Sequence, residues 1–278
     1  MKNTNFAWQR ICNSEPERDE AVLWELFHVN SRSSLLDPQL PNAVVARRMQ
    51  DMAPSLHFED RATIALPTER TPLSIDLGQA MAQRRSSRGL SASTVAMASL
   101  ATLLHAAYGE TLDNAGGPFP RPFRTVPSGG ALYPLEIYFH SVHVDGLGAG
   151  LYHYDTSRNV VRLIREGDGS RFISEGLVQR NLPFDASVMF FLTGLPRRCT
   201  FKYRDRGYRF MLMEAGHVAQ NLSLAAVGLR LSSLCVGGFL DEKIDDFLGL
   251  DGLDHSTLYL VAVGKEADQE LAPAVGPV

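Results

Sequence analysis

The stretch Phe201–Arg209, FKYRDRGYR, concentrates groups that can hold and move protons. Lys202 and Tyr203 stand side by side just ahead of a long amphipathic pattern, Asp205–Val227. The positive end of such a helix favours loss of a proton from an ammonium or a phenol. The pair is therefore a candidate general base or acid. The competing interpretation is a solvated cluster in which cations pair with nearby acids, namely Lys202, Arg204, Arg206 and Arg209 with Asp205 and Glu214.

A second cluster of donors follows a short helical stretch and consists of Arg84, Arg85, Ser86, Ser87 and Arg88. Guanidinium and hydroxyl groups are the donors that suit the oxygens of a phosphate. From spacing alone, an exposed basic turn explains the cluster better than a phosphate site does.

Two glycine pairs, in Pro127–Pro134 (PSGGALYP) and at Gly237–Gly238, would let backbone N–H groups approach a flat ligand closely. An ordinary tight turn accounts for either pair equally well. Neither GxGxxG nor GxxxxGK[ST] occurs, so the sequence supports neither a Rossmann dinucleotide site nor a nucleotide P-loop.

Composition limits the classes of partner. The formal net charge is -4 over 278 residues, which argues against a nucleic-acid-binding surface. Cys12, Cys199 and Cys235 are odd in number and far apart, which favours buried thiols in a reducing compartment. No HExxH or CxxC predicts a metal site, and no signal peptide or membrane span is recognised, so we expect a cytoplasmic protein.

The elements that position these residues fall into two parts. Residues 1–72 form a predicted N-terminal extension with weak helical patterns at Glu20–Val29 and Asn42–Asp51, and residues 73–278 form the main domain. In the main domain, the hydroxyls of Ser91–Thr94 offer helix caps ahead of a buried helix that ends near Gly109. A long loop rich in Gly, Pro and Arg then runs from Gly109 to Leu132.

Alternating, β-branched or aromatic residues predict strands at Leu135–Val144, Leu151–Tyr154 and Val160–Ile164. Apolar runs predict buried strands at Val188–Leu192, Leu231–Val236 and Leu258–Val263. Helices are predicted at Asp205–Val227 and Asp241–Leu248. Because helices interleave with a run of strands, the pattern favours an α+β sandwich over a doubly wound parallel sheet.

Taken in order, these motifs resemble those of the nitroreductase-like FMN flavoproteins. Within this superfamily they most resemble the azoline dehydrogenases, which belong to the pathways that make thiazole/oxazole-modified peptides of the microcin and streptolysin S type. The matching segments are Arg84–Arg88, Pro127–Pro134, Leu151–Tyr154, Arg206–Arg209 with Glu214–His217 and Gln220–Leu222, Gly237–Phe239 and Leu258–Gly264. The N-terminal Leu26–Asn30 and the compact length are more similar to the microcin-type dehydrogenases than to the longer cyanobactin oxidases. The resemblance spans about residues 73 to 266.

The resemblance implies a three-layer α/β/α sandwich around a mainly antiparallel sheet, in a homodimer with the flavins at the shared interface. It implies FMN as the cofactor, with Lys202 and Tyr203 as the catalytic pair. The implied cofactor-binding residues are Arg84, Arg85, Ser86, Arg88, Pro127, Ser128, Gly129, Gly130, Gln220, Gly237 and Gly238. The implied reaction is oxidation of peptide thiazolines and oxazolines to thiazoles and oxazoles, with cyclodehydratase subunits and a precursor peptide as partners.

Departures from the family pattern leave alternatives open. Leu240 follows Gly237–Phe239 at a place where relatives often carry two acidic residues. His255–Thr257 stands ahead of the last strand, where relatives usually have an acidic residue and a proline. The tail lacks a Lys/Arg pair, so Lys265 or a partner subunit would complete the phosphate site. The alternatives are an NAD(P)H-dependent nitro or quinone reductase and a flavin-free scaffold subunit. Residues 1–72 would either bind the cyclodehydratase partner or the leader peptide, or form a structural arm that wraps around the dimer.

Overall fold

The computed structural model describes residues 22–34, 37–38, 40–114, 116–117, 121–179 and 186–266. Its centre is an eight-stranded sheet. The strands are β1 (Thr63–Ala65), β2 (Leu90–Ser91), β5 (Leu135–Ser141), β6 (Gly150–Asp155), β7 (Val160–Glu166), β8 (Val188–Gly194), β9 (Ser232–Val236) and β10 (Ser256–Glu266). They run in the order β1, β7, β6, β5, β8, β10, β2, with β9 paired to β10. All of these strand pairs are antiparallel.

Helices cover both faces of the sheet. The α-helices of the described residues are α1 (Val22–Asn30), α2 (Asn42–Asp51), α3 (Leu77–Gln83), α4 (Met97–Tyr108), α5 (Ser170–Glu175), α6 (Arg197–Tyr203), α7 (Asp205–Gly228) and α8 (Asp241–Leu248). Helices α4 and α7 pack against each other, and α7 also contacts β8, β9 and β10, while α8 contacts α5 and β10. Among the described residues, no helix is both long and apolar enough to cross a membrane.

Alternate residues of the central strands enter two separate hydrophobic cores. Phe139 of β5 and Phe190 of β8 join the core of α4 and α7, whereas Tyr138 and Phe191 join the core of α5 and α8. Successive side chains of a strand point to opposite faces, so strands β5 and β8 are buried along their whole length. This explains the nearly continuous apolar runs, and the predicted three-layer α+β sandwich is confirmed.

The element boundaries mostly match the sequence patterns, with two corrections. Ala96 is the N-cap of α4, and no described side chain caps that end, so the predicted capping role of Ser91–Thr94 was wrong. The predicted loop Gly109–Leu132 carries a small two-stranded sheet, β3 (Glu110–Leu112) paired with β4 (Phe123–Arg124). Short strands of two or three residues are too brief for an alternating pattern to reveal them.

The N-terminal region is built into the same core. Val45 and Met49 of α2 and Leu66 are buried in the cluster that contains α4 and α7. Strand β1 pairs with β7 at the edge of the central sheet. The first two residues of the predicted helix Glu20–Val29, and Cys12, lie outside the described residues. The boundary between residues 72 and 73 stays a prediction.

Candidate functional site

Lys202 and Tyr203 form the last turn of α6 instead of merely preceding a helix, which corrects the sequence interpretation. The chain reverses at Arg204, whose φ of 52° and ψ of -141° separate α6 from α7. Gly207 makes the close crossing possible, since a Cβ there would lie 2.9 Å from the carbonyl carbon of Cys199. The two helices therefore hold the Lys-Tyr pair at a sharp, tightly packed corner.

Beyond this corner, Arg209 and Tyr208 hold helix α1. Arg209 donates from Nε to Ser31 Oγ at 2.7 Å and from Nη2 to the carbonyl of His28 at 2.5 Å. Tyr208 packs edge-to-face on Phe27, with 5.6 Å between ring centroids. These contacts agree with an anchoring role for Arg209 and Tyr208. The described bonds of Arg209 go to Ser31 and His28 instead of Asp205 or Glu214, so Arg209 departs from the predicted ion-pair cluster.

The second part of the site is the tight turn of Pro127–Pro134. Gly130, Ala131 and Tyr133 all have positive φ, of 67°, 53° and 46°. The Oγ of Ser128 accepts a hydrogen bond from the backbone N–H of Tyr133 at 2.9 Å, which holds the turn together. Left-handed backbone is unfavourable for residues with a Cβ, so this turn is held in shape by its surroundings.

This turn and the Lys-Tyr pair meet at Gly130. A Cβ at that position would lie 2.6 Å from Tyr203 Oη and 2.8 Å from Lys202 Nζ. Glycine is thus required both by the backbone conformation and by the two polar groups facing it. Residues that are more than seventy positions apart in the chain converge here.

A cleft of about 700 Å³ opens beside this contact. That volume is within the range of small-molecule and cofactor sites. The cleft is lined by Asn114, Phe123, Arg124, Thr125, Val126, Pro127, Ser128, Gly130, Ala131, Tyr133 and Lys202.

A buried charged cluster supports the cleft from behind. Glu214 of α7 is 1% exposed and accepts a hydrogen bond from Tyr108 Oη at 2.5 Å. Arg124 stacks over the rings of Tyr108 and Tyr133, at 4.2 Å and 4.9 Å from their centroids. Burial raises the pKa of Glu214 to about 7, although hydrogen bonds from Ser128 and Tyr108 and the charge of Arg124 oppose the rise. Burial and the charge of Glu214 raise the pKa of Tyr108 well above its usual value.

The basic cluster lies at a different place, beside β9. Ser86 forms an isolated bridge with Ser233 of β9, and the backbone N–H of Ser87 donates to the carbonyl of Ser233 at 3.0 Å. Gly237 and Gly238 follow the same strand and are exposed. Arg85 Nη1 donates to the carbonyls of Ala82 and Arg84 at 2.7 Å and 2.8 Å, so it caps the last turn of α3.

The predicted site residues therefore form two groups. Pro127, Ser128 and Gly130 line the cleft with Lys202, and Tyr203 adjoins it through Gly130. Gly129 packs against Phe210, which would lie 2.9 Å from an added Cβ. The lining of this cleft does not include Arg84, Arg85, Ser86, Arg88, Gln220, Gly237 or Gly238.

The sequence patterns did not predict the buried cluster behind the cleft as part of the site. Its signal was present: Glu214 occupies a position at apolar spacing in α7, together with Met211, Ala215 and Val218, all of which are buried. A charged residue in an apolar stripe must find partners, because burying an unpaired charge is costly. For Arg124 the only signal was the unusual arginine content of the predicted loop.

Comparisons with known proteins identify the family. The sequence profile of the Nitroreductase family matches residues 81–265. The Methanocaldococcus jannaschii protein MJ1384, named for the same family, is 36% identical over 195 residues, covering 70% of this chain and 93% of its own length. The microcin B17-processing protein McbC of Escherichia coli is 28% identical over 163 residues, covering 53% of this chain and 56% of McbC.

A solved structure, the E. coli microcin synthetase McbBCD complex with truncated pro-MccB17 bound, contains a similar fold. The match has a TM-score of 0.57 and 21% identity, and it covers 96% of this chain and 100% of that one. On the matched profile, the chain belongs to the Nitroreductase family of oxidoreductases.

Proposed function

We propose that the protein is an FMN-dependent azoline dehydrogenase, which oxidises thiazolines and oxazolines of a ribosomally made precursor peptide to thiazoles and oxazoles. The observation that carries this proposal is the convergence of Lys202 Nζ and Tyr203 Oη on Gly130 beside the cleft. The similarity to McbC, a microcin B17-processing protein, supports a peptide substrate. A cytoplasmic location is part of the proposal, since the precursor is made on ribosomes.

The residues at the cleft would handle the proton of this reaction. Aromatisation removes a proton from the ring carbon that was the Cα of Cys, Ser or Thr and a hydride from the neighbouring ring carbon. Bound FMN supplies the acceptor for that hydride. Tyr203 takes the proton and the ammonium of Lys202 stabilises the phenolate, or the two exchange roles.

The available donors fit FMN. Arg84, Ser86 and Arg88 present guanidinium and hydroxyl groups of the kind that hold a phosphate, while the glycine-containing wall of the cleft suits a flat ring. Arg85 would join them by leaving its contacts with α3. Lys265 lies at the same edge, because it pairs with Ser91 of β2 just after the basic cluster. Gly237, Gly238 and Gln220 complete the proposed cofactor-binding set.

A homodimer would bring the two groups of residues together. In this arrangement the basic cluster and Gly237–Gly238 of one subunit and the Pro127–Gly130 turn of the other bind one flavin. Helix α7 is the proposed interface. Its apolar side chains Leu212 and Met213 are 42% and 52% exposed in the single chain, and a second subunit would cover them. Cyclodehydratase subunits are the proposed further partners, by analogy with the synthetase complex that shares the fold.

Separate variants Lys202→Ala and Tyr203→Phe test the assignment. We expect both to retain FMN and to lose turnover of an azoline peptide by about 100-fold, the usual lower scale of an acid–base contribution. Turnover is measured as the mass loss of two hydrogens per ring, and FMN by absorbance after denaturation. Full azole formation by both FMN-loaded variants would exclude the catalytic pair.

The principal competing function is an NAD(P)H-dependent nitro or quinone reductase. The similarity to MJ1384, which is named for the nitroreductases, favours it. Rapid flavin reduction by NADH or NADPH together with no azoline turnover would select this function. Colourless protein that releases no FMN on denaturation would instead indicate a scaffold subunit.

A further inference from the structure

Three buried arginines connect the N-terminal extension to the walls of the cleft. Arg121, Arg124 and Arg198 are 5%, 7% and 8% exposed. Arg121 and Arg124 come from the segment that leads to the cleft, and Arg198 comes from α6. Burial, with the nearby charges of Arg198 and Arg124, lowers the pKa of Arg121 to about 10.

Arg121 bridges the extension and the glycine turn. Its Nη2 donates to the carbonyls of Met49 and Met52 at 3.1 Å and 2.7 Å, at the C-terminal end of α2. Its Nη1 lies 3.3 Å from the carbonyl of Leu132, inside the turn. Arg124 makes a parallel connection by donating from Nη2 to the carbonyl of Pro54 at 2.7 Å.

Glu136 connects the same segment to α6. Its carboxylate is 2% exposed, pairs with Arg198 Nη1 at 2.6 Å and accepts from the backbone N–H of Leu56 at 3.0 Å. Ser55 Oγ donates to it at 3.2 Å and His153 Nε2 lies 2.7 Å away. Although burial opposes ionisation, the charge of Arg198 and the bond from His153 hold the pKa of Glu136 well below its usual range.

Residues 49–56 are therefore connected to both structures that meet at Gly130, through Arg121 and through the Glu136–Arg198 pair. Arg121 fixes the turn at Leu132, and the Glu136–Arg198 pair fixes α6 one turn before Lys202. We propose that residues 49–56 form a supporting wall of the active site, with Arg121 and Arg198 as positioning residues that set the separation between the glycine turn and the Lys-Tyr pair. The extension is then part of the catalytic unit, beyond any role in docking.

Arg121→Gln tests this wall, and Arg162→Gln is the matched control. Arg162 of β7 is 6% exposed and its Nη1 bonds Thr63 Oγ1, so it also ties the extension to the sheet, but at the outer edge. We expect Arg121→Gln to speed amide hydrogen exchange at residues 132–135 and 201–204 by about tenfold or more, without changing exchange in β8. Arg162→Gln should leave both segments protected.

A second test measures the kinetics of azoline oxidation and rests on the proposed function. Arg121→Gln should lower kcat for an azoline peptide by about 10- to 100-fold while KM changes by less than about threefold, because misplacement by about 1 Å is costly to turnover. Arg162→Gln should keep both constants. If the wild-type protein does not oxidise azolines, the proposed function fails, and the exchange measurement still decides the positioning role.

Arg121→Lys covers the case in which the glutamine variant does not fold. It keeps a positive charge, but one ammonium cannot bond the carbonyls of α2 and Leu132 in the same way as a guanidinium fork. We expect faster exchange in the same two segments, by a smaller factor than for glutamine. Unchanged exchange there in the folded Arg121 variants, or an equal increase in Arg162→Gln, would overturn the proposal.

Discussion

Gly130→Ala should impair the reaction more than the fold. The new Cβ would lie 2.6 Å from Tyr203 Oη, whereas ordinary van der Waals contact begins at 3.4 Å, so the phenol must retreat by about 0.8 Å. The same comparison for Lys202 Nζ, at 2.8 Å, gives about 0.6 Å. A displacement of about 1 Å can reduce turnover 100-fold, so we expect a loss of about 10- to 100-fold in kcat.

The backbone conformation at Gly130 adds a separate cost in folding free energy. The same substitution at a second glycine measures this cost alone. Alanine at a φ of 67° costs about 1–2 kcal/mol of folding free energy. Gly146 has a similar φ of 76°, and a Cβ there would have no neighbour within 4 Å. Gly146→Ala should therefore lose the same stability in urea unfolding and keep its turnover.

The assay compares azoline peptide oxidation, FMN content and urea unfolding for both variants. The expected result is a similar loss of stability in both and a loss of kcat in Gly130→Ala alone. Equal turnover in the two folded variants would refute the idea that the glycine turn positions Lys202 and Tyr203.

Two further predictions concern α7. The pKa of Glu214 is about 7 in the folded protein, against an ordinary pKa of 4.5. Between these two pH values the folded state holds a proton that the unfolded state has lost. The contribution of Glu214 to the free energy of unfolding therefore falls by roughly 3 kcal/mol as the pH rises through that range. Urea unfolding at pH 5.5 and pH 8 should show a smaller decrease for Glu214→Gln than for wild type, and an equal decrease would contradict the buried acid. Met213→Glu should yield a folded monomer with little bound FMN by size-exclusion chromatography and absorbance. Leu253→Glu, at a side chain that is 78% exposed, should leave assembly and FMN unchanged, and a flavin-loaded Met213→Glu dimer would argue against α7 as the interface.

The sequence by itself determined most of the regular elements. Periodicity placed α2 at Asn42–Asp51 and α8 at Asp241–Leu248 with the observed boundaries, and α7 within one residue. These elements can be predicted from the spacing of apolar residues, because the residues of one helical stripe or one buried strand lie in a single continuous segment of the chain. The order of motifs also identified the family, because each motif keeps its residues together in the chain.

Only the tertiary structure decided how the parts of the site meet. The contact of Gly130 with Lys202 and Tyr203, the Tyr108–Glu214 bond and the three connections from Arg121 each join distant segments. Such contacts depend on how helices and strands cross, and local patterns do not encode that. The same reason separates the basic cluster at β9 from the cleft, although the sequence placed both in one cofactor-binding set.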